Sequence, residues 1–200
     1  MTGNNIHPIF QKQLLSKEDR LRRLNQNPKV IWLCGLSGSG KSTLAVALEK
    51  KLFDSGFFPY VLDGDNIRTG LNKNLGFTSE DRTENLRRIA EVAKLFVDSG
   101  IIPITSFITP LESQRENAKG IIGKDDYIEV FVDCPFEVCE KRDVKGLYAK
   151  AKAGEIKNFT GKQSIFEIPA KPNVHLRTEV ESPEQSLNKL LSYLKPIITK

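Results

Sequence analysis

The sequence predicts an α/β protein built on a parallel five-stranded sheet flanked by helices. Three observations lead there: five short apolar runs, helix-period segments between them, and helix-start residues at the heads of several of those segments. The apolar runs are Val30 to Cys34, Tyr60 to Leu62, Ile102 to Ile108, Tyr127 to Val132 and Val174 to Leu176, each short enough to be a buried strand. Residues 1 to 29 are polar and carry one short helical candidate, Ser16 to Asn25, so they read as an extension to a core domain of residues 30 to 200. With 200 residues and 39% hydrophobic content, the chain can bury one sizeable core.

Between the first two strands, Thr43 to Phe53 places Leu44, Leu48 and Leu52 on one helix face. Between Asp81 and Ser99 a second amphipathic helix lines up Leu86, Ile89, Ala90, Ala93 and Val97. Arg82 and Asn85 lie on that same side one turn earlier, so a core-facing helix carries polar groups at one end. Three later helices have N-cap, N1 and N3 signatures: Thr109, Pro110 and Glu112; Cys134, Pro135 and Glu137; Ser182, Pro183 and Gln185. Cysteine is a poor cap, which makes the second signature the weakest.

A net charge of +5 favours anionic ligands without choosing among nucleic acid, lipid and small phosphorylated molecules. Three cysteines, Cys34, Cys134 and Cys139, form neither a disulfide framework nor a zinc-ligand spacing, which fits a reducing compartment. No apolar run approaches a membrane span and the N-terminus lacks a signal pattern, so a soluble cytoplasmic protein is expected.

The strand Val30 to Cys34 runs directly into Gly35-Leu36-Ser37-Gly38-Ser39-Gly40-Lys41-Ser42, which matches G-x-x-x-x-G-K-[ST] and is followed by a helix. Glycines let the backbone wrap a phosphate closely, and the helix N-terminus adds partial positive charge there. Gly35, Ser37, Gly38, Ser39, Gly40 and Thr43 are therefore candidate ATP-binding positions, Lys41 a candidate for the β and γ phosphates, and Ser42 a candidate Mg²⁺ ligand. A guanine-reading N-K-x-D is missing, since Asn72-Lys73-Asn74 is followed by Leu75. Asp133 is followed by Cys134-Pro135 without the glutamate of a motor ATPase, which leaves a small-molecule kinase.

The second strand ends in Asp63-Gly64-Asp65-Asn66-Ile67-Arg68, at the strand edge where open α/β folds bind ligands. Asp63 can activate or orient an acceptor hydroxyl and stand in the second shell of Mg²⁺; Asp63 and Asp65 also suit turn and cap positions around Gly64. Arg68 and Arg82 can face the same crevice, and two guanidiniums there call for an anionic acceptor. Arg87, Arg88 and most later lysines read as solvated helix faces. The basic segment 141 to 168 reads as a lid, and Phe77 and Phe159, set in polar glycine-containing stretches, suit either a sandwich around a base or loop anchors.

These stretches, together with Gly70-Leu71-Asn72-Lys73-Asn74-Leu75-Gly76-Phe77, Asp81-Arg82-x-Glu84-Asn85-x-Arg87-Arg88, Ile104-Thr105-Ser106-Phe107-Ile108 and Arg142-Asp143-Val144-Lys145-Gly146-Leu147-Tyr148, resemble the adenylyl-sulfate kinase family of P-loop kinases from about Val30 to Thr178. The resemblance implies MgATP-dependent phosphorylation of the ribose 3′-hydroxyl of adenosine 5′-phosphosulfate. It implies Asp63 as the catalytic or metal-organising carboxylate beside Lys41. Asp65, Arg68, Arg82 and Asn85 would bind the acceptor, with Phe77 and Phe159 stacking its adenine. Lys145 and the Ile108-Thr109 backbone would complete that pocket, and Arg142 would contact ATP. It further implies a homodimer and functional association with an ATP sulfurylase, with no nucleic-acid or membrane partner.

The chain departs from the family pattern at three places. Thr109 stands where a serine, proposed as a phosphorylated intermediate, is usual; its expected N-cap role accounts for it without catalysis. Leu111-Glu112-Ser113-Gln114 precede Arg115 where an arginine is common near position 112, and Lys162-Gln163-Ser164-Ile165-Phe166-Glu167 replaces a Pro-Tyr-Glu-containing lid end. From the residues alone, a kinase for another small acceptor and a non-catalytic nucleotide-binding subunit remain alternatives.

Overall fold

The computed structural model describes residues 15–156 and 159–200, so expectations for residues 1 to 14 lie outside the described residues. Five parallel strands, β1 (Val30–Cys34), β2 (Pro59–Asp63), β3 (Ile102–Ser106), β4 (Tyr127–Asp133) and β5 (Val174–Arg177), form one sheet in the order β2-β3-β1-β4-β5. All five expected strands are present, within one or two residues of their predicted bounds. Because every pair is parallel, all strands end at one edge of the sheet, and the loops leaving that edge build the site.

Strand alternation divides the core into two layers. Ile31 and Leu33 of β1, with Val130 and Val132 of β4, face α2 (Lys41–Asp54) and α8 (Pro183–Ile198), whose Leu44, Leu48, Leu52, Leu190 and Leu194 are buried. Val30, Trp32 and Phe131 face the other way, against α4 (Ser79–Ser99) and α5 (Glu112–Ile122). The stripe expected on α4, Leu86, Ile89, Ala90, Ala93 and Val97, is buried throughout. A third apolar cluster joins Cys134, Cys139, Tyr148 and Phe159 around α6 (Phe136–Arg142) and α7 (Leu147–Lys152), which gives the lid a small core of its own.

The helix expected near the N-terminus is α1 (Lys17–Leu24), closed by a Ser16 capping box and by Asn25 in the left-handed region at φ 49°. The extension is fastened to the strand-start edge of the sheet, away from the phosphate loop. Lys17 and Lys29 both reach Asp126, while Gln26 donates to the Gly100 carbonyl and accepts from the Phe58 N–H.

Of the three helix-start signatures, the one at Ser182 is present as expected and the other two require correction. Thr109 is not an N-cap: it sits at φ 43°, its hydroxyl accepts from the Trp32 indole, and α5 begins only at Glu112 behind Leu111. β3 likewise ends at Ser106 rather than Ile108. There the Phe107 N–H donates to Leu33 O and the Ile108 carbonyl accepts from the Gly35 N–H, which draws the chain over the end of β1. Cys134 is not a cap either, since α6 starts at Phe136 with Pro135 before it, and Cys134 is buried in the lid cluster.

Candidate active site

The phosphate loop leaves β1 at Gly35, where only glycine fits: φ is 148°, and a Cβ would lie 2.4 Å from the Val132 carbonyl oxygen of the neighbouring strand. Three donors from outside hold the next turns. The Tyr148 hydroxyl donates to Ser37 O at 2.8 Å, Arg142 to Gly38 O at 3.4 Å, and the Thr178 hydroxyl to Ser39 O at 2.9 Å. Carbonyls engaged this way do not meet an incoming phosphate with unpaired negative charge. Gly40 then caps α2 in the left-handed region, and the first turn of α2, Lys41 to Thr43, presents its N-terminus to the loop.

Lys41 is buried, and its ammonium donates to the Gly35 and Leu36 carbonyls at 2.9 and 2.7 Å. Burial, offset in part by neighbouring acidic groups, pushes its pKa down to about 8. A lysine held under a loop of phosphate-binding shape, with its charge only partly compensated, is poised for an anion.

Asp63 ends β2 and caps α3 (Gly64–Thr69), accepting the Asp65 N–H through one carboxylate oxygen. Its other oxygen accepts from Ser42 Oγ at 3.1 Å, and Ser42 Oγ lies 3.3 Å from Ser106 Oγ. The cap role and the site role are thus carried by the same carboxylate. A cavity of about 520 Å³ opens here between α2, β2 and α3, lined by Ser42, Asp63, Asp65 and Lys145 among others. Lys145, from the lid, pairs with Asp65 at 2.5 Å across its mouth.

Arg68 and Arg82 both donate to the 76–77 backbone, and burial lowers the pKa of each, with the charge of Arg82 acting the same way on Arg68. Arg68 lies 4.4 Å over the Phe77 ring and donates to the Gly76 carbonyl; Arg82 donates to Phe77 O and to the Thr160 hydroxyl, linking α4 to the lid. Asn85 is buried and accepts from the Asn72 amide at 2.9 Å. Phe77 is exposed with Arg68 as its partner, whereas Phe159 is buried edge-to-face against Tyr148, 4.7 Å between centroids. Each ring thus has a separate partner.

One cation differs from its sequence reading. Arg87 pairs with Glu84 and Glu91 on an exposed face, as expected, but Arg88 reaches the Leu71 carbonyl, Asn72 and Asn74 and so secures the 71–74 loop. Ser106, Tyr148, Thr160 and Thr178 were missed as site residues. The first and last stand at strand ends on the ligand edge, a placement readable from the parallel order of the strands; the other two act through folded lid contacts that no local pattern encodes.

Residues 27–177 match the family model described as adenylylsulphate kinase. The adenylyl-sulfate kinase of Bacteroides thetaiotaomicron is 56% identical over 197 residues, covering 98% of each chain, and that of Clostridium acetobutylicum is 54% identical over 187 residues, covering 94% of this chain and 93% of the relative. Among solved structures, the APS kinase of Mycobacterium tuberculosis in complex with AMPPNP and APS superposes with a TM-score of 0.81 at 45% identity, covering 84% of this chain and 98% of that one. With the family model matched over residues 27–177 and relatives more than half identical along nearly the whole chain, this chain belongs to the adenylylsulphate kinase family.

Proposed function

We propose that the chain transfers the γ-phosphate of ATP to the ribose 3′-hydroxyl of adenosine 5′-phosphosulfate, forming 3′-phosphoadenosine 5′-phosphosulfate and ADP. The observation that carries this reading is the Asp63 carboxylate 3.1 Å from Ser42 Oγ, at the junction between the phosphate loop and the cavity lined by Asp63, Asp65 and Lys145, with Arg68 at the far end of α3. A donor phosphate on one side and an anionic acceptor on the other would place the hydroxyl to be phosphorylated beside Asp63.

In this reading the phosphate loop and the α2 N-terminus hold the triphosphate, and Lys41 turns from the loop carbonyls to the phosphoryl oxygens. Asp63 orients the 3′-hydroxyl and receives its proton as the oxygen attacks phosphorus in line. Arg68 and Arg82 bind the phosphosulfate, which carries no charge change in the reaction, so they act in binding and orientation. Asn85, Asp65, Lys145 and the Ile108-Thr109 backbone frame the nucleoside with Phe77 and Phe159, and Arg142 lies on the ATP side of the loop.

The hydroxyls of Ser42 and Ser106 and the Asp63 carboxylate form a hard-oxygen donor set that fits Mg²⁺. Ser42 would hold the ion with Asp63 behind it, and the ion would neutralise charge on the phosphates. Thr109 takes no covalent part: the residue is 1% exposed and its hydroxyl oxygen accepts from Trp32 at 3.0 Å, which favours direct transfer. A homodimer, an association with an ATP sulfurylase and a cytoplasmic location complete the proposal. No helix among the described residues is long and apolar enough to cross a membrane.

Replacing Asp63 tests the assignment. Asp63→Ala should leave ATP binding within about threefold while turnover falls by roughly 10²-fold or more, the usual worth of such a group. Near-full turnover in that variant would remove Asp63 from the chemistry.

A further inference from the structure

The loop that leaves β3 contains a buried threonine in a conformation that L-residues rarely adopt. Thr109 has φ 43° and is 1% exposed. A non-glycine residue in the left-handed region carries a conformational cost and persists only where its surroundings hold it. Two side chains do so here. The Trp32 indole N–H donates to Thr109 Oγ1 at 3.0 Å from the middle of β1, and Arg115 donates to the Thr109 carbonyl at 3.1 Å from the first turns of α5. Arg115 is itself buried and paired with Glu129 of β4 at 3.2 Å. An ion pair of this burial is costly to desolvate, so its placement calls for an explanation beyond stability.

The turn it holds stands between the phosphate loop and the end of the lid. Immediately before Thr109, the Ile108 carbonyl accepts from the first glycine of the phosphate loop. Immediately after it, the Pro110 carbonyl accepts from the Glu167 N–H, and the Glu112 N–H donates to the Glu167 carboxylate, which ties the turn to the end of the lid. The phosphate loop has further anchors in Tyr148, Arg142 and Thr178, and does not depend on this turn alone. The 107–110 turn depends chiefly on Trp32, Arg115 and the Glu167 clasp.

We propose that Arg115 and Trp32 are positioning residues for the acceptor: they hold Thr109 in its left-handed turn so that the 108–109 backbone forms a fixed wall of the acceptor pocket. The inference rests on the proposed placement of the Ile108-Thr109 backbone in the acceptor pocket.

The test is a steady-state comparison of Arg115→Gln with the double variant Arg115→Gln/Thr109→Gly, varying ATP and adenylyl sulfate separately. Arg115→Gln should raise the acceptor KM about tenfold or more and move the ATP KM less than about twofold, as expected for loss of a charged donor that holds the wall of one pocket. Glycine adopts the left-handed turn without a clamp, so the double variant should recover part of the acceptor KM. Trp32 is the chain's one tryptophan, so its emission reports on the clamp directly. Thr109→Val, which keeps the side chain's volume but removes the acceptor oxygen, should shift that emission and raise the acceptor KM even if Arg115→Gln does not fold. Equal rises in both KM values, no recovery with Thr109→Gly, or an unchanged acceptor KM in Thr109→Val would each overturn the proposal. A wild type inactive on adenylyl sulfate would instead refute the proposed function, which separates the two failures.

Discussion

Lys41 combines two demands that pull its chemistry in opposite directions. The loop buries it, which disfavours its charge and brings its pKa to about 8, while a bound triphosphate favours that charge. Because 8 lies below the unfolded value near 10.5, the unfolded chain binds more protons between those pH values, and the contribution of Lys41 to stability rises with pH across that window. Nucleotide binding should raise the pKa again, so ATP is expected to bind with uptake of a substantial fraction of a proton near pH 9 and almost none at pH 7. Titration calorimetry in buffers of different ionisation enthalpy measures this uptake. Buffer-independent heats at pH 9 would show that Lys41 keeps its charge without phosphate. The same tension explains why the motif identified the residue but not its pKa: the G-x-x-x-x-G-K-S spelling fixes the lysine's place, whereas its desolvation comes from the folded loop around it.

At the scale of elements, α4 does two jobs with one stripe. Its later turns bury Leu86 to Val97 against the sheet, and its first turns carry Arg82 to the Thr160 hydroxyl and Asn85 to Asn72, where the acceptor is proposed to bind. Arg88 extends this second job by securing the 71–74 loop, whose Asn72 in turn holds Asn85. Arg88→Ala is therefore expected to raise the acceptor KM about tenfold, the scale of a few lost charge-assisted bonds, while Arg87→Ala, which removes only exposed ion pairs, changes neither KM measurably. Kinetics of the two variants side by side check the contrast, and equal effects would return Arg88 to the solvated face that the sequence alone assigned it. The strands and the α4 stripe were legible because hydrophobic periodicity is a local property of the chain. The turn at Thr109 was not. The Thr-Pro-x-Glu spelling fits a helix start well, but Trp32, 77 positions away, competes for the hydroxyl and the chain follows β1 and the phosphate loop instead. Similarly, Phe77 and Phe159 could be marked as unusual aromatics, while the burial of Phe159 against Tyr148 depends on how the lid folds onto itself.

For the whole molecule, parallel strand order is what turns scattered motifs into one site. The β1, β2, β3, β4 and β5 ends all reach the same edge, so Gly35, Asp63, Thr109, Cys134 and Thr178, far apart in sequence, are gathered along one edge of the sheet. The lid joins it through Arg82 to Thr160, Lys145 to Asp65 and Tyr148 to Ser37, while the 15–29 stretch is fastened at the opposite edge. In the proposed function the donor side is built around the loop and the acceptor side around α3, α4 and the 107–110 turn. ADP release with MgATP over a panel of adenylyl sulfate, a nucleoside, a nucleotide and a sugar acid tests whether the acceptor is adenylyl sulfate. ADP release is expected with adenylyl sulfate, matched mole for mole by the 3′-phosphorylated product. Release with another acceptor and none with adenylyl sulfate would contradict the proposed function.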